Sequence, residues 1–240
     1  NKNIYSSSLN ISKSLNLLEK DHCLNIMPLF HIHGLIAIIA SSMKSGASVC
    51  ASNGFNALKF LELAKSEKIT WYSGVPTMHQ TIMLRAEKNL ELAKNLNLRL
   101  VRSSSASLPP AVFEKLNKVF NCPVIEAYGM TEATHQMTSN PLPPKKQKAG
   151  FVGIPAGPEV AIMNDSNQII KNEEVGEICI KGDNVTSGYE NNPEANKTSF
   201  SDGWFRTGDQ GFFDKDGYLK ISGRLKEIIN KGGEKISPLE

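Results

Sequence analysis

The sequence predicts an α/β protein: a mainly parallel sheet in layers covered by helices, followed by a small β-rich subdomain. Two observations carry this. Up to Asn140, short apolar runs of strand length alternate with segments whose apolar residues recur at helical spacing, the pattern of parallel strands joined by crossover helices. After Pro141-Leu-Pro-Pro144 the helical periodicity stops, and residues 150–222 hold short strand-like runs between Asn-, Asp- and Gly-rich turns. With 240 residues, 40% hydrophobic and 21% charged, the chain can bury a sizeable core in one or two domains.

Each element follows from local pattern. Residues 6–15 form a helix that ends before Asp21. Cys23 to Met27 is an apolar strand running into Pro28, which holds its predecessor extended. Gly34 to Met43 is apolar nearly all round and reads as a buried helix. Ser48 to Ala51 and Ile69 to Tyr72 are short buried strands. Between them, Ala57 to Lys68 has period-3.6 apolar positions, with Asn56 as N-cap. Pro76 opens a helix reaching about Lys94. Leu98 to Val101 is a strand, Pro109-Pro110 starts a helix over 111–120, and Val124 to Tyr128 is the next strand. In the second part, Glu159–Met163, Glu177–Lys181 and Tyr218–Ile221 are strands, with Asn164-Asp-Ser-Asn167 and Lys215-Asp-Gly217 as turns. No internal repeat or low-complexity segment interrupts them.

Composition narrows the function. A net charge of +3 argues for neither nucleic acid nor a membrane surface as partner. The one dense basic run, Lys145-Lys146-Gln147-Lys148, follows two prolines and reads as a solvated loop. Cys23, Cys50, Cys122 and Cys179 are too widely spaced for a zinc site or a small disulfide scaffold. They suit reduced thiols in a cytoplasmic compartment, a peroxisomal address at the C-terminus being left open. The longest apolar run, Leu35 to Ala40, is far short of the roughly 20 residues of a membrane helix. The chain opens in mid-element at Asn1 and stops abruptly at Glu240, so it reads as an interior piece of a longer protein.

The chemistry concentrates in two stretches, Glu126-Ala-Tyr-Gly-Met-Thr-Glu132 and Gly203-Trp-Phe-Arg-Thr-Gly-Asp209. Tyr128 ends a strand in an α/β sheet, where ligands gather. Its ring can stack on a purine and Gly129 permits close backbone approach; a plain core tyrosine is the alternative. Thr131 can bond a phosphate and Glu132 can ligate Mg2+, or the two can simply open a short helix. Asp209, on a Gly-bounded turn, can accept from two hydroxyls at once, as ribose requires, or can be a turn aspartate. Ser103-Ser-Ser-Ala-Ser-Leu108 is small enough for a ligand to approach its backbone. In Pro28-Leu-Phe-His-Ile-His-Gly34, His31 and His33 would share a face on a strand and could bind metal, but no third ligand is evident.

Order and spacing of these stretches, with Gly223-Arg224-Leu225-Lys226 after them, resemble the acyl-adenylate-forming (AMP-binding) ligases: acyl-CoA synthetases, luciferases and peptide-synthetase adenylation domains. The resemblance implies that the chain is part of the large N-terminal domain of such a ligase. It implies ATP, Mg2+ and coenzyme A as ligands, with a small-molecule carboxylic acid as the group activated. By position it assigns Ser104, Ser105, Ala106, Glu126, Ala127, Tyr128, Gly129, Met130, Thr131, Asp209, Ile221 and Arg224 to the nucleotide. Thr131, Glu132 and Lys226 are assigned to catalysis, Glu132 to the metal, and Lys226 to the pivot between large and small domains. Gly232 and Gly233 border the CoA tunnel, and His31, Ser105 and His135 line the acid pocket. Residues 1–144 are then the α/β portion, 145–222 the β-rich subdomain, and 223–240 the hinge and the start of a C-terminal domain.

Within the family, Trp71-Tyr-Ser-Gly-Val-Pro-Thr-Met-His-Gln80, Ser139-Asn-Pro-Leu-Pro143, Asn184-Val-Thr-Ser-Gly-Tyr189 and Asn192-Pro-Glu-Ala-Asn-Lys-Thr198 resemble the oxalate–CoA ligase branch. The chain departs from that branch at Gly129, often alanine, and Ser104, often cysteine. Two family pieces are expected outside it: a Ser/Thr/Gly-rich phosphate loop before Asn1, and a C-terminal domain with a catalytic lysine after Glu240. Residues 1–240 alone are therefore expected to be inactive. The rival expectations are an adenylating enzyme for a fatty or aryl acid, and a non-catalytic nucleotide-binding module.

Overall fold

The computed structural model describes residues 2–227 and the backbone of 229–231 and 234–236. Its first layer is a seven-stranded sheet. The strands are β1 (His22–Asn25), β2 (Ser48–Ala51), β3 (Trp71–Gly74), β4 (Leu100–Ser103), β5 (Val124–Met130), β6 (His135–Ser139) and β7 (Ile154–Pro155), in the order β2-β1-β3-β4-β5-β6-β7. Pairings from β2 through β5 are parallel, and β5–β6 and β6–β7 are antiparallel. Two-residue alternation divides the strand side chains between two cores. Leu24, Tyr72, Val101 and Val124 pack against α3 (Phe60–Ser66), α4 (Pro76–Ala86), α5 (Leu90–Lys94) and α6 (Pro110–Phe120). Their neighbours Cys23, Trp71, Leu100 and Ile125 pack against α1 (Lys2–Ser14) and the segment His33–Ala40, which continues as α2 (Ser41–Lys44).

Several local expectations are revised. The apolar stretch over 34–43 is helical, but His33–Ala40 is wound as a π-helix. It presents Ile36, Ala37 and Ile38 to the sheet and leaves Leu35 47% and Met43 73% exposed. The expected helix over 76–94 is two helices, broken at Asn89, whose backbone (φ −137°, ψ 50°) leaves helical geometry while its side chain donates to the Arg85 carbonyl at 3.0 Å. Asn56 accepts from the Leu58 and Lys59 backbone amides at 3.0 and 3.3 Å, capping a turn that precedes α3. β2 has a single neighbour and is a partly exposed edge rather than a buried strand.

The second layer is antiparallel: β8 (Glu159–Met163), β9 (Gly176–Lys181), β10 (Phe200–Ser201), β11 (Trp204–Phe213) and β12 (Leu219–Arg224), with α7 (Pro193–Ser199) leading into β10. A separate two-stranded ribbon follows, β13 (Ile229–Lys231) with β14 (Glu234–Ile236). β11 is unforeseen from the sequence, where Asp209 reads as lying on a Gly-bounded turn; Gly203 does turn the chain, but into β11 rather than at Asp209. The two sheets share a core in which Tyr128, Ala133, Met137 and Val152 meet Ile162, Ile178, Ile180, Phe205 and Leu219. Backbone bonds between Val152 and Leu219 (2.9 Å) and between Leu219 and Gly153 (2.7 Å) tie the layers together. Lys145 and Lys146 are exposed as expected of a solvated loop, but Lys148 is not free. Its ammonium bonds Asp214 (2.5 Å) and Asp216 (2.7 Å) and sits over the Tyr218 ring. All four cysteines are free thiols. Among the described residues no helix is long and apolar enough to cross a membrane.

Asp21 organises the entry to the parallel strands. It is 1% exposed. Its carboxylate accepts from Arg99 Nε (2.7 Å) and Nη2 (2.8 Å), Thr70 Oγ1 (2.9 Å) and the Leu18 amide (2.9 Å). Arg99 also donates to the Leu15 carbonyl at 3.0 Å, so one ion pair joins the end of α1 to the starts of β1, β3 and β4. Burial pushes the Asp21 carboxyl up, but the bonds from Arg99, Leu18 and Thr70 outweigh it and hold it below the usual carboxylate range. Because that pKa is lowered on folding, the stabilisation is present above the unfolded value and lost as pH falls through the folded one. Arg99→Met should cost about 2–4 kcal/mol at neutral pH by stranding a buried carboxylate. The difference from wild type should shrink in acid; urea titrations at pH 7 and in mild acid check both.

Candidate active site

A cavity of about 350 Å³ opens at the carboxyl ends of β4 and β5, beneath β11 and β12. It is lined by Ser105, Ala106, Ser107, Glu126, Ala127, Tyr128, Gly129, Met130, Gly150, Val152, Asp209, Ile221 and Arg224. Of the residues expected to hold a nucleotide, only Ser104 and Thr131 are not in this wall. Ser104 lies directly behind it, donating to the Ala127 carbonyl at 2.9 Å. Thr131 opens on the neighbouring cavity. Ser107 belongs to the small-residue loop already singled out, whereas Gly150 and Val152, in the connection from β6 to β7, carried no sequence signal. The serine loop takes its path from both flanking strands. The Ser104 amide donates to the Gly74 carbonyl at 3.2 Å, and the Leu108 amide to Glu126 Oε1 at 2.9 Å. Ser105 takes the left-handed conformation, φ 74°, a strained state common at functional positions.

Asp209 is on a strand, not a turn as expected. Gly208, at φ 73°, and register shifts on both sides of Gln210 kink β11 there, and the bulge aims Asp209 into the cavity. Its Oδ2 accepts from Tyr128 Oη at 2.5 Å, and its Oδ1 from Nε of Arg224, its cross-strand partner, at 2.8 Å. Burial, then the Asp209 charge, raise the Tyr128 phenol well above its usual value. The bond to Asp209 likewise raises Arg224. A carboxylate has about four acceptor positions, so two hydroxyls can still be taken on the remaining ones.

A second, more polar cavity of about 290 Å³ is lined by His31, Ile32, Ser105, Gly129, Met130, Thr131, Glu132, His135 and Arg224. It shares Ser105, Gly129, Met130 and Arg224 with the first. Thr134 and His135 have φ 49° and 93°, and this strained turn folds the chain back from β5 into β6. A Cβ on Gly129 would lie 1.6 Å from the His135 carbonyl oxygen. Glycine is therefore what lets β6 close on β5 along this path, and an alanine would hold the strands apart. The exchange is not a minor one. His135 is 2% exposed and its Nδ1 has no partner among the described residues. His31 and His33 are not on a strand: they enter the π-helix, His31 exposed at the cavity and His33 fully buried behind it. Burial first, then Arg102, hold both His33 and His135 well below the usual imidazole value.

Thr131 and Glu132 open the short 3-10 turn Thr131–Ala133. Residues 184–189 fix that turn. Asn184 donates to the Ala133 and Gln136 carbonyls at 2.8 and 3.0 Å, and the Thr186 amide to the Glu132 carbonyl at 2.7 Å. Tyr189 Oη donates to Glu132 Oε1 at 2.7 Å, and burial plus that bond raise the phenol to about 12. Among the described residues no three His, Cys, Asp or Glu converge on a metal position. A lone carboxylate fits Mg2+, which takes one or two protein ligands and completes its shell with phosphates and water. Lys226, exposed on the turn Leu225–Glu227, shares a third cleft of about 480 Å³ with Glu132. Gly232 and Gly233 lie outside the described residues.

Residues 1–190 match the AMP-binding enzyme family. The oxalate–CoA ligase of Arabidopsis thaliana is 50% identical over 99% of this chain and 47% of its own. The oxalate–CoA ligase of Saccharomyces cerevisiae is 48% identical over 99% and 44%. O-succinylbenzoate coenzyme A synthetase of Bacillus subtilis, solved with ATP and a magnesium ion, superposes with a TM-score of 0.89 at 31% identity, over 99% of this chain and 49% of that one. The chain thus spans about half the length of the relatives it matches. Its mixed α/β sheet and antiparallel second layer are those of their N-terminal domain.

Glu126 gives the site a pH signature. It is 1% exposed, Oε1 accepts from the Leu108 amide, and burial outweighs the lowering effect of the Leu108 and Gly150 amides and raises its carboxyl to about 7. With a folded pKa above the unfolded one, the native state keeps its proton longer than the unfolded chain. Stability therefore falls as pH rises from about 4.5 to about 7 and then levels. Glu126→Gln should remove that slope and be more stable than wild type at pH 8 by up to about 2–3 kcal/mol, with little gain at pH 4.5. Denaturant titrations at the two pH values check it.

Proposed function

The chain belongs to the AMP-binding enzyme family, and from that premise we propose that it is the adenylate-forming core of an ATP-dependent, AMP-forming acid–CoA ligase acting on a small carboxylic acid such as oxalate. The observation that carries the reading is the wall shared by the two cavities. A nucleoside held beside Tyr128 and Asp209 and an acid held beside His31, Ser105 and His135 would place the α-phosphate and the carboxylate together at Ser105, Gly129, Met130 and Arg224. The acid oxygen attacks the α-phosphorus, pyrophosphate leaves, and the thiol of CoA then displaces AMP from the acyl carbon. Such chemistry is mainly positioning and charge neutralisation.

In this reading Tyr128 stacks on adenine beside Ala106, Ala127 and Ile221, with Ser104 and Glu126 holding the loop that borders it. Asp209 takes the ribose hydroxyls with Arg224. Thr131 bonds phosphate, Glu132 holds Mg2+, which neutralises phosphate charge when bound, and Lys226 is the pivot that presents CoA past Gly232 and Gly233. Residues 145–222 serve as the β-rich subdomain beside the α/β portion 1–144, and 223–240 as the hinge and the start of the C-terminal domain. A small polar acid cavity supports a compact dicarboxylate over a fatty or aryl chain, as do the names of the Arabidopsis and yeast relatives. Four free thiols suit a reducing compartment such as the cytoplasm.

The full-length protein with Mg·ATP and CoA should release pyrophosphate fastest with oxalate among oxalate, malonate, acetate, a coumarate-type acid and a medium-chain fatty acid. Release only with a larger acid would overturn the small-acid pocket, and none with any acid would overturn the reaction. Lys226→Pro should slow thioester formation on the order of tenfold more than adenylate formation. Equal losses in the two half-reactions, measured separately, would remove the pivot role.

A further inference from the structure

Arg102, at the centre of β4, is fully buried, and no carboxylate among the described residues pairs with it. Its guanidinium instead reaches two neutral oxygens, Ser73 Oγ from Nη1 at 3.3 Å and Gln136 Oε1 from Nη2 at 3.4 Å. Ser73 Oγ lies 2.6 Å from Nε2 of His33, and Nδ1 of His33 lies 3.0 Å from Ser105 Oγ. A line of polar groups therefore runs from a buried cation to the one serine in the wall between the two cavities.

The direction of the hydrogens along this line follows from valence together with the need of each buried hydroxyl hydrogen for an acceptor. A guanidinium only donates, so Ser73 Oγ accepts from it. Among the described residues His33 Nε2 is the acceptor left for the single Ser73 hydrogen, so that hydrogen is assigned to it. Burial beside Arg102 keeps the His33 ring neutral, so a ring accepting at Nε2 carries its hydrogen on Nδ1 and donates it to Ser105 Oγ. The Ser105 hydrogen, with no acceptor among the described residues, is left for the cavity. Without Arg102 the line could reverse, Ser105 donating to His33 and His33 to Ser73. The cavity would then meet an oxygen lone pair, which repels a carboxylate.

We propose that Arg102, Ser73 and His33 form a polarised relay that holds the Ser105 hydroxyl as a hydrogen-bond donor to the carboxylate of the acid substrate. They are positioning residues, acting through Ser105 without touching the acid. The proposal rests on the acid–CoA ligase reading for the identity of its ligand, but not for the direction of the hydrogens. The relay selects acids that bring a negative oxygen to Ser105 over acids that bring an alkyl or aryl group.

The test uses the full-length enzyme. Arg102→Met, which keeps length and removes the donor, should raise the KM for oxalate about 10- to 100-fold, the range for losing a hydrogen bond to a charged group. The KM for ATP should stay within about twofold. Arg102→Lys should recover part of the loss, and Ser73→Ala should reproduce it if Arg102→Met does not fold. In a Ser105→Ala background neither change should raise the KM further. Acid and ATP constants moving together, an unchanged acid KM, or full additivity with Ser105→Ala would overturn the relay. The ring 15N shifts of His33, assigned with His33→Gln, should report hydrogen on Nδ1 and none on Nε2 in wild type. The opposite tautomer, or a doubly protonated ring, would overturn the relay even if wild type activates no acid, an outcome that would separately refute the ligase reading.

Discussion

The bond from Tyr128 to Asp209 is the constraint on which the site depends. It joins the end of a parallel sheet to the middle strand of an antiparallel one, and the cavity is the space those two layers leave between them. Its walls therefore keep their spacing only while the layers stay in register. The backbone bonds between Val152, Gly153 and Leu219 fix that register on one side, and the ion pairs of Lys148 with Asp214 and Asp216 reinforce it. Arg224 adds a second bond to the same carboxylate from the facing strand. Asp209 can consequently be preorganised without rotamer freedom, which lowers the entropic cost of ordering it around a ligand.

The switch from parallel to antiparallel pairing along β5 does the rest of the positioning. β5 outruns β4, and its free half is paired by a strand that doubles back at once. So tight a return needs backbone states that most residues avoid, and Thr134 and His135 adopt them while Gly129 makes room. Seven consecutive residues are thereby divided between two cavities, with Tyr128 in the first and Thr131 and Glu132 in the second. The strain is supported by Asn184 and Thr186, whose bonds to the turn come from the other layer. Strain persists where surrounding structure over-determines it, and such places are commonly functional.

How much of this was legible in the sequence follows from what each signal measures. Periodicity reports which face is buried, so α6 was placed within a residue, while β3 and β4 begin two residues later and α1 four residues earlier than expected. It does not report hydrogen-bond offset, so the π-winding of His33–Ala40 was invisible. Glycine reports conformational freedom without saying for what purpose. In β11 Gly208 served a bulge and was misread as bounding a turn, and Gly211 allows a close approach to β12, although Phe205, Thr207 and Asp209 alternate inward as a strand requires. Tyr128, Asp209 and Arg224 were assigned by resemblance to a pattern, and their convergence is a fact of tertiary structure. Arg102 was passed over because arginine is seldom buried without an acid. Only its place among Leu100, Val101 and Ser103 in a central strand hinted that its side chain had to point inward.

The two cavities also differ in electrical character, and the difference matches what each would hold. On the nucleoside side the buried groups are acceptors, Asp209 and the Glu126 carboxyl, which suit hydroxyl and amine donors. On the acid side the buried groups are His33 and His135, backed by Arg102, which pairs with no carboxylate among the described residues, while Ser105, Glu132 and Arg224 share the cavity wall. A buried cation without a counter-ion is costly in the empty site, because desolvation is not repaid by an attractive partner. That cost diminishes when an anion arrives in the pocket at the far end of the Ser73–His33 line. A neutral apolar acid would leave it in full. The energetic preference for a compact anion can therefore originate in a residue that lines neither cavity, with shape acting only as the second filter.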